Sequence, residues 1–469
     1  MLEVDLPKAD IGALAPLIGD DRYRRLREEA AQVLERIDGR RVWNVNSTAH
    51  GGGVAEMLAV VLAYVLGMGV PGNWLVIDGS PEFFELTKRL HNRLHGVAGD
   101  AGALGPEEHE CYREISRRNA ENLLQRVGPG EFVILHDPQT AGLIRPLVEH
   151  GCTVIWRCHV GRDEQNDFTV GAWSFLRPYL EGAHAYVFSR RSYLPDFLDA
   201  AKVTVIPPAI DPFATKNKSM EPALARSVLA AAGLLSGTPE VEPLYRTDGG
   251  HRPVTSRAAL LCEGPLPTPD EPLVVQVSRW DRLKDMAGVL NGFVAHVSHP
   301  SARLVLAGPD VSGVTDDPEG QRVLDECTRA WHELPAAARR RVCLASLPMK
   351  DSAENAWIVN ALQRHAYLVA QKSLVEGFGL TVAEAMWKGR PVVASAVGGL
   401  QDQVVDGVTG RLIRDPADLA AFGAAVQALL DSPEEAEREG RAGYERCRTD
   451  FLPDRHLLQW GELLRQLMD

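Results

Sequence analysis

Aromatic side chains make up only 6% of this 469-residue chain, and it has seven cysteines, none paired at zinc-ligand or redox-motif spacing. Scattered and odd in number, Cys111, Cys152, Cys158, Cys262, Cys327, Cys343 and Cys447 offer no disulfide framework and read as reduced, mostly buried thiols. Basic charge is also in deficit. A formal net charge of −13 excludes the overall positive field that draws a protein to nucleic acid or an acidic membrane. No long apolar run is present: the most apolar stretch, Met57 to Val70, is too short and glycine-interrupted to span a bilayer. The opening "MLEVDLPKAD" lacks a basic region followed by an apolar segment. Neither a fixed short repeat nor a low-complexity tract appears. The expectation is a soluble cytoplasmic protein with no membrane and no nucleic-acid partner.

What is present is ample core-forming material, 45% hydrophobic, in a chain long enough for two or three domains. Short runs rich in β-branched residues alternate with helix-length segments such as Pro106 to Val127. In the first part these runs are "RVWNVN" (41–46), "WLVID" (74–78), "EFVILHD" (131–137), "TVIWRCH" (153–159), "AYVFS" (185–189) and "VTVIPPAI" (203–210). The pattern restarts with "PLVVQVS" (272–278), "ARLVLAG" (302–308), "RVCLAS" (341–346), "AYLVAQ" (366–371) and "PVVAS" (391–395). Alternation of this kind implies parallel sheets wrapped by helices, so the fold class is α/β with two doubly wound domains. Residues 1–210 form the expected first domain and 211–450 the second, with 451–469 a helix packing back on them. Gly233 to Pro272, with seven prolines and an Asp-Gly-Gly, reads as a loop-rich insertion in the second domain, a loop or mobile excursion rather than a third core.

Four places at strand ends carry chemistry. In "NVNSTAHGGGVAEML" a strand ends at Asn46, three glycines follow, and a helix begins near Val54. Bare backbone at a helix start lets an anion or a sugar approach the amides, although the GxGxxG spacing of a dinucleotide fingerprint is absent. In "SLVEGFGLTVAEAMWKGRPVVASAVGG", Glu376 falls in a loop and Glu384 one to two turns into a helix from Thr381 to Lys388 that Gly389 can end. Carboxylates accept paired hydrogen bonds from vicinal diols, so one can reach sugar hydroxyls and the other a ribose while a diphosphate sits at the helix start. In "QVSRWDRLKD", Arg279 and Lys284 follow a strand end and supply two cations for a departing diphosphate. His159 ends "TVIWRCH", beside His136 and Asp137 on the neighbouring strand. No cluster of Asp, Glu and His marks a metal site.

Together these segments resemble the retaining glycosyltransferases of GT-B architecture, two Rossmann-like domains facing a cleft. More narrowly, "VNSTAHGGGVAEML", "EFFELTKRLHNRLHG" (82–96), "WRCH" (156–159), "IPPAIDPFATKN" (206–217) and the Glu376–Glu384 segment resemble the trehalose glycosyltransferring synthases. The 82–96 segment is the most specific of these. The resemblance implies Arg279 and Lys284 on a donor diphosphate, Glu376 on the donor sugar, and Glu384 on the nucleotide ribose. It places the backbone of Gly377, Phe378, Gly379 and Leu380 on phosphates and sugar, Gly52 and Gly53 near donor and acceptor, and His159 on the donor glucose. The implied reaction is transfer of glucose, with retention, from a nucleoside-diphosphate glucose to free glucose, giving trehalose. It needs no obligatory cofactor, leaves Mg²⁺ assistance open, and is compatible with a homodimer. Two departures leave the acceptor open: Gly161 stands where such synthases carry an aspartate, and the 233–272 insertion is long. The alternatives are a trehalose phosphorylase, a related retaining transferase with another acceptor, and a sugar-binding regulator without turnover.

Overall fold

The structure is a computed structural model that describes residues 1–49, 53–247, 249–311 and 318–469. It packs as two compact units, residues 1–210 with 451–469, and residues 211–450.

In the first unit the described strands are β1 (Leu2–Glu3), β2 (Val42–Asn46), β3 (Gly72–Val76), β4 (Phe132–His136), β5 (Thr153–Cys158), β6 (Ala185–Phe188) and β7 (Val203–Val205). They form one sheet in the order β1-β3-β2-β4-β5-β6-β7, parallel except for β1. The central strands are buried along their whole length because helices cover both faces, which is why they read as unbroken apolar runs and not as alternation. Chain order reverses between β2 and β4, so the loops after Asn46 and His136 open at a switch point, where open α/β sheets bind ligands. The apolar run near residue 60 is the helix Gly53–Gly67, and no helix among the described residues is long and apolar enough to cross a membrane. The terminal helix Pro453–Met468 docks on this unit through charge as well as apolar packing: Arg22 grips the buried Asp454 with two bonds of 2.9 Å each, and Arg465 pairs with Glu29 at 2.6 Å.

The second unit holds β10 (Ala259–Leu261), β11 (Leu273–Val277), β12 (Arg303–Pro309), β13 (Val342–Leu347), β14 (Leu368–Gln371), β15 (Val392–Ser395) and β16 (Arg411–Ile413). Their order is β10-β13-β12-β11-β14-β15-β16, with only β10 antiparallel. Here the switch point lies between β11 and β14. Its two loops, 278–285 and 372–379, are the ones that carry Arg279, Lys284 and Glu376.

Two expectations are corrected in this unit. The proline-rich stretch 233–272 is structured: it contains a hairpin, β8 (Leu244–Thr247) with β9 (Gly250–Pro253), and then β10, which extends the sheet edge. Glu354 anchors it, accepting from the backbone N–H of Thr255 (2.6 Å) and Ser256 (2.9 Å) and from the Ser256 hydroxyl (2.5 Å), while the Tyr245 hydroxyl donates to Asp351 at 3.0 Å. Nor are all cysteines free thiols. Cys262, one residue beyond β10, is bonded to Cys343 in β13, with Cα atoms 4.6 Å apart; the other five are free. The pairing is a consequence of sheet register, which brings together two residues 81 apart in sequence.

Candidate active site

Two groups of polar residues gather at the strand ends, one in each unit. In the second unit the loops after β11 and β14 are fastened together. Gln276, wholly buried in β11, donates to the Lys284 carbonyl at 2.8 Å, and the Leu374 N–H donates to the Leu283 carbonyl at 2.8 Å. Lys372, with no exposed side-chain surface, pairs with Asp285. Asp285 itself sits at φ 49° and caps the helix Met286–His296. On this frame Lys284 Nζ lies 2.6 Å from Glu376 Oε2, which also accepts from the Ser373 hydroxyl at 3.1 Å. Both ends of the pair are largely buried, at 18% and 10% side-chain exposure. Arg279 differs: its side chain is 66% exposed and its guanidinium bonds Asp281 at 2.8 Å.

Behind Glu376 the glycine loop leads into the helix Leu380–Trp387. Gly379, at φ 83° and ψ 60°, precedes its first turn in a left-handed conformation, and a Cβ there would stand 2.4 Å from Leu400. The turn is close-packed from the other side too, since a Cβ on Gly399 would lie 2.7 Å from the Phe378 Cα. The loop therefore brings Gly377, Phe378 and Gly379 to the helix start as backbone. Glu384, buried in the second turn, pairs with Lys216 Nζ at 2.9 Å. Beneath it Lys388 is buried, and its ammonium donates to Gln363 Oε1 (2.8 Å), Asn217 Oδ1 (3.0 Å) and the Glu384 carbonyl (3.1 Å). Burial pulls its pKa down to about 7 against the raising effect of Glu384.

The first unit supplies His159, His136, Asp137 and Asn44. His136 Nε2 meets Asn44 Oδ1 at 3.0 Å, and its Nδ1 meets His159 Nε2 at 3.1 Å. Burial, with Arg157 nearby, lowers His136 to about 3 and holds His159 well below the usual histidine range, so both rings are neutral at physiological pH. With an oxygen at Asn44, the proton of His136 is on Nε2 and that of His159 on Nε2, leaving His159 Nδ1 as an acceptor. Asp137 holds the backbone beneath: its Oδ1 accepts from the His159 N–H at 2.7 Å. Asp137 also sits at φ 65° and ψ 176°, a region that glycine alone enters readily and that costs other residues about 1–3 kcal/mol. Backbone strain of this kind gathers at functional strand ends.

Burial raises the Asp137 carboxyl to about 7, well above the 3.8 of an exposed aspartate. Between those values the folded chain holds a proton that the unfolded chain has released, so this contribution is complete below pH 3.8 and is lost as pH rises through 7. Asp137→Asn keeps the acceptor for the His159 N–H and removes the ionisation. The variant should lose less stability than the parent as pH rises from 5 to about 8. Urea midpoints at stepped pH check this, and parallel curves for the two proteins would refute it.

Of the other residues expected at the site, Gly53 opens the helix Gly53–Gly67, whereas Gly52 lies outside the described residues. Asn46 organises the start of that turn, accepting from Trp74 Nε1 at 2.8 Å and donating to the Thr48 carbonyl at 2.7 Å. The 82–96 segment forms the helix Pro81–Leu94, whose Phe83, Leu86, Leu90 and Leu94 belong to the core. Gly161 has a packing reason: a Cβ there would lie 2.2 Å from the buried Tyr193 ring. Sequence reasoning missed Lys216, Ser373 and the Lys372–Asp285 pair. Only Lys216 had left a signal, inside "IPPAIDPFATKN".

The trehalose synthase N-terminal domain family matches residues 44–195, which contain the glycine turn and His159, and glycosyl transferases group 1 matches 353–446, which contain Glu376 and Glu384. A trehalose synthase of Rubrobacter xylanophilus is 34% identical over 95% of this chain and 95% of its own length. The chain belongs to the trehalose synthase family. A trehalose synthase of Pyrococcus horikoshii is similar to the same extent, 32% identical over 96% of this chain and 95% of its own. Among solved structures, the α,α-trehalose-phosphate synthase (UDP-forming) of Burkholderia vietnamiensis matches with a TM-score of 0.65, covering 92% of this chain and 98% of that one. At 14% identity that likeness shows the fold, GT-B with two Rossmann-like domains, as the motifs had implied. The protein is a trehalose-related glycosyltransferase with hexosyltransferase activity. Arg279 and Lys284 fall outside both matched spans, so their place rests on the geometry of the β11 loop.

Proposed function

We propose that this glycosyltransferase moves glucose from a nucleoside-diphosphate glucose to free glucose, with retention at the donor carbon, to form α,α-1,1-trehalose. One observation carries the reading: the Lys284–Glu376 pair stands at the switch point of the second sheet, beside the glycine-led start of the helix Leu380–Trp387. Lys284 and Arg279 take the diphosphate, the helix start and Gly377–Leu380 backbone lie against phosphate and sugar, and Glu376 takes the sugar hydroxyls. Glu384 takes the ribose. In the reaction the bond from the glucose anomeric carbon to the phosphate oxygen breaks. The acceptor hydroxyl bonds to that carbon on the same face, and its proton passes to the departing phosphate oxygen. The chain's own contribution is to orient both sugars and to offset the charge growing on the diphosphate. His159, neutral and with Nδ1 as its acceptor, suits a hydrogen bond from a sugar hydroxyl better than a charge contact. The UDP-forming activity named for the Burkholderia structure and the trehalose product named for the family point to this donor class and product.

The test is to incubate UDP-, ADP- or GDP-glucose with glucose, with and without Mg²⁺, and to read the product's anomeric protons by NMR. One donor should give α,α-trehalose with release of an equal amount of nucleoside diphosphate. Product from another acceptor only would overturn the trehalose assignment. Inversion at the donor carbon would overturn the mechanism, and glucose 1-phosphate formed from trehalose and phosphate, with no nucleotide-dependent turnover, would make the protein a phosphorylase.

A further inference from the structure

We propose that Lys216 is a positioning residue of the nucleoside subsite, presenting the Glu384 carboxylate to the ribose diol. The inference rests on the reading of Glu384 as the ribose carboxylate.

Lys216 lies in a segment without regular secondary structure, yet that segment is held tightly to the helices of its own unit. Asn360 Nδ2 donates to the carbonyls of Thr215 (3.0 Å) and Lys218 (2.9 Å), and Arg364 donates to the carbonyls of Asn217 (2.9 Å) and Lys218 (2.8 Å). Trp387 Nε1 donates to the Asn217 carbonyl at 3.1 Å, and the Asn217 side chain, 1% exposed, reaches back to the Asp211 carbonyl at 2.9 Å. Both neighbours of Lys216 are thus fixed, so its side chain starts from an immobilised backbone. The backbone entropy is already given up, and the pair has only the lysine's side-chain rotamers left to order. The ammonium, 28% exposed, sits 2.9 Å from Oε1 of a carboxylate that is 7% exposed.

A buried carboxylate needs its orientation fixed before it can receive two hydroxyls of a diol. Lys388 holds the Glu384 backbone carbonyl from below, and Lys216 holds Oε1 from the side. That leaves Oε2 and the remaining lone pair of Oε1 for a ligand. Lys216 therefore acts through Glu384 on whatever hydroxyls Glu384 receives.

Calorimetry on the full chain tests this with four probes: UDP, ADP and the 2′,3′-dideoxy form of each. Lys216→Met should weaken the ribonucleotide by roughly tenfold, the scale of one charge-assisted hydrogen bond, and leave the dideoxy form unchanged. Lys216→Arg should restore most of the loss. In turnover the Met variant should raise the donor KM and keep kcat. Equal weakening of ribo and dideoxy forms, or no weakening of either, would overturn the proposal. Glu384→Gln is the control on the underlying reading: if it fails to discriminate ribo from dideoxy nucleotide, Glu384 is not the ribose carboxylate and the donor-site assignment falls with it. If it discriminates and Lys216→Met does not, only the role of Lys216 is refuted.

Discussion

Glu376→Gln should abolish glycosyl transfer while leaving nucleoside diphosphate affinity measurable. The amide keeps the shape of the carboxylate and removes its charge. In the structure that charge is met by Lys284 at 2.6 Å and by the Ser373 hydroxyl at 3.1 Å, so the substitution disorganises Lys284 as well as the sugar contact. A bound donor sugar offers hydroxyl donors to a carboxylate, and half of an amide repels them. Loss of a preorganised electrostatic contact in a site closed to water costs roughly 2–4 kcal/mol, or about 30- to 1,000-fold in kcat. Loss of both contacts should take turnover to the detection limit. The nucleotide contacts assigned to Arg279 and Glu384 remain in place, which keeps nucleoside diphosphate affinity measurable. Product formation followed by NMR, with nucleoside diphosphate titrated by calorimetry, checks both halves, and turnover within about threefold of the parent would remove Glu376 from the donor site.

The second large effect is expected at Lys284, and it should exceed the effect at Arg279. Both follow β11, but their surroundings differ. Lys284 is tied down by the Gln276 bond to its carbonyl and points into the Glu376 pair, with 18% of its side chain exposed. Arg279 is 66% exposed and engaged with Asp281, so solvent screens it more strongly. Each alanine variant should lower kcat at least tenfold if both cations offset charge on the leaving diphosphate. Lys284→Ala should approach the upper end of the roughly 2–4 kcal/mol range and Arg279→Ala the lower. Stability should change little at Arg279. At Lys284→Ala the largely buried Glu376 loses its cation, which should lower the thermal midpoint as well, and Lys284→Arg separates that loss from the catalytic one. Normal kcat at saturating donor in both folded variants would remove the diphosphate clamp.

Much of the fold was legible because its signals are local. Buried parallel strands appear as short β-branched runs whatever lies beside them, and eleven such runs each overlap an observed strand of the two sheets. Gly379 and Gly389 bracket the helix Leu380–Trp387 in the sequence for the same reason: each must adopt positive φ, 83° and 66°, at a helix end. The family, too, could be read from contiguous motifs.

Pairing across the chain belongs to tertiary structure. The strand order of the second sheet, with β14 beside β11, is what sets Glu376 2.6 Å from Lys284 across 92 residues. Nothing in "QVSRWDRLKD" shows which of its cations will be buried and which exposed. The proline-rich stretch lacked a strand signal because β10 is a three-residue edge strand whose stability comes from its partner β13 and from the Glu354 anchor. Cys262 and Cys343 meet only through that register. Asp137 looks ordinary in "EFVILHDP", since the backbone strain and the raised pKa arise from the turn and the burial around it. Periodicity and turn chemistry act over a few residues and so can be read along the chain. Register, burial and the partner of each charge depend on which distant segments the sheet order brings together, and for Lys216 and Glu384, 168 positions apart, only the folded chain decides it.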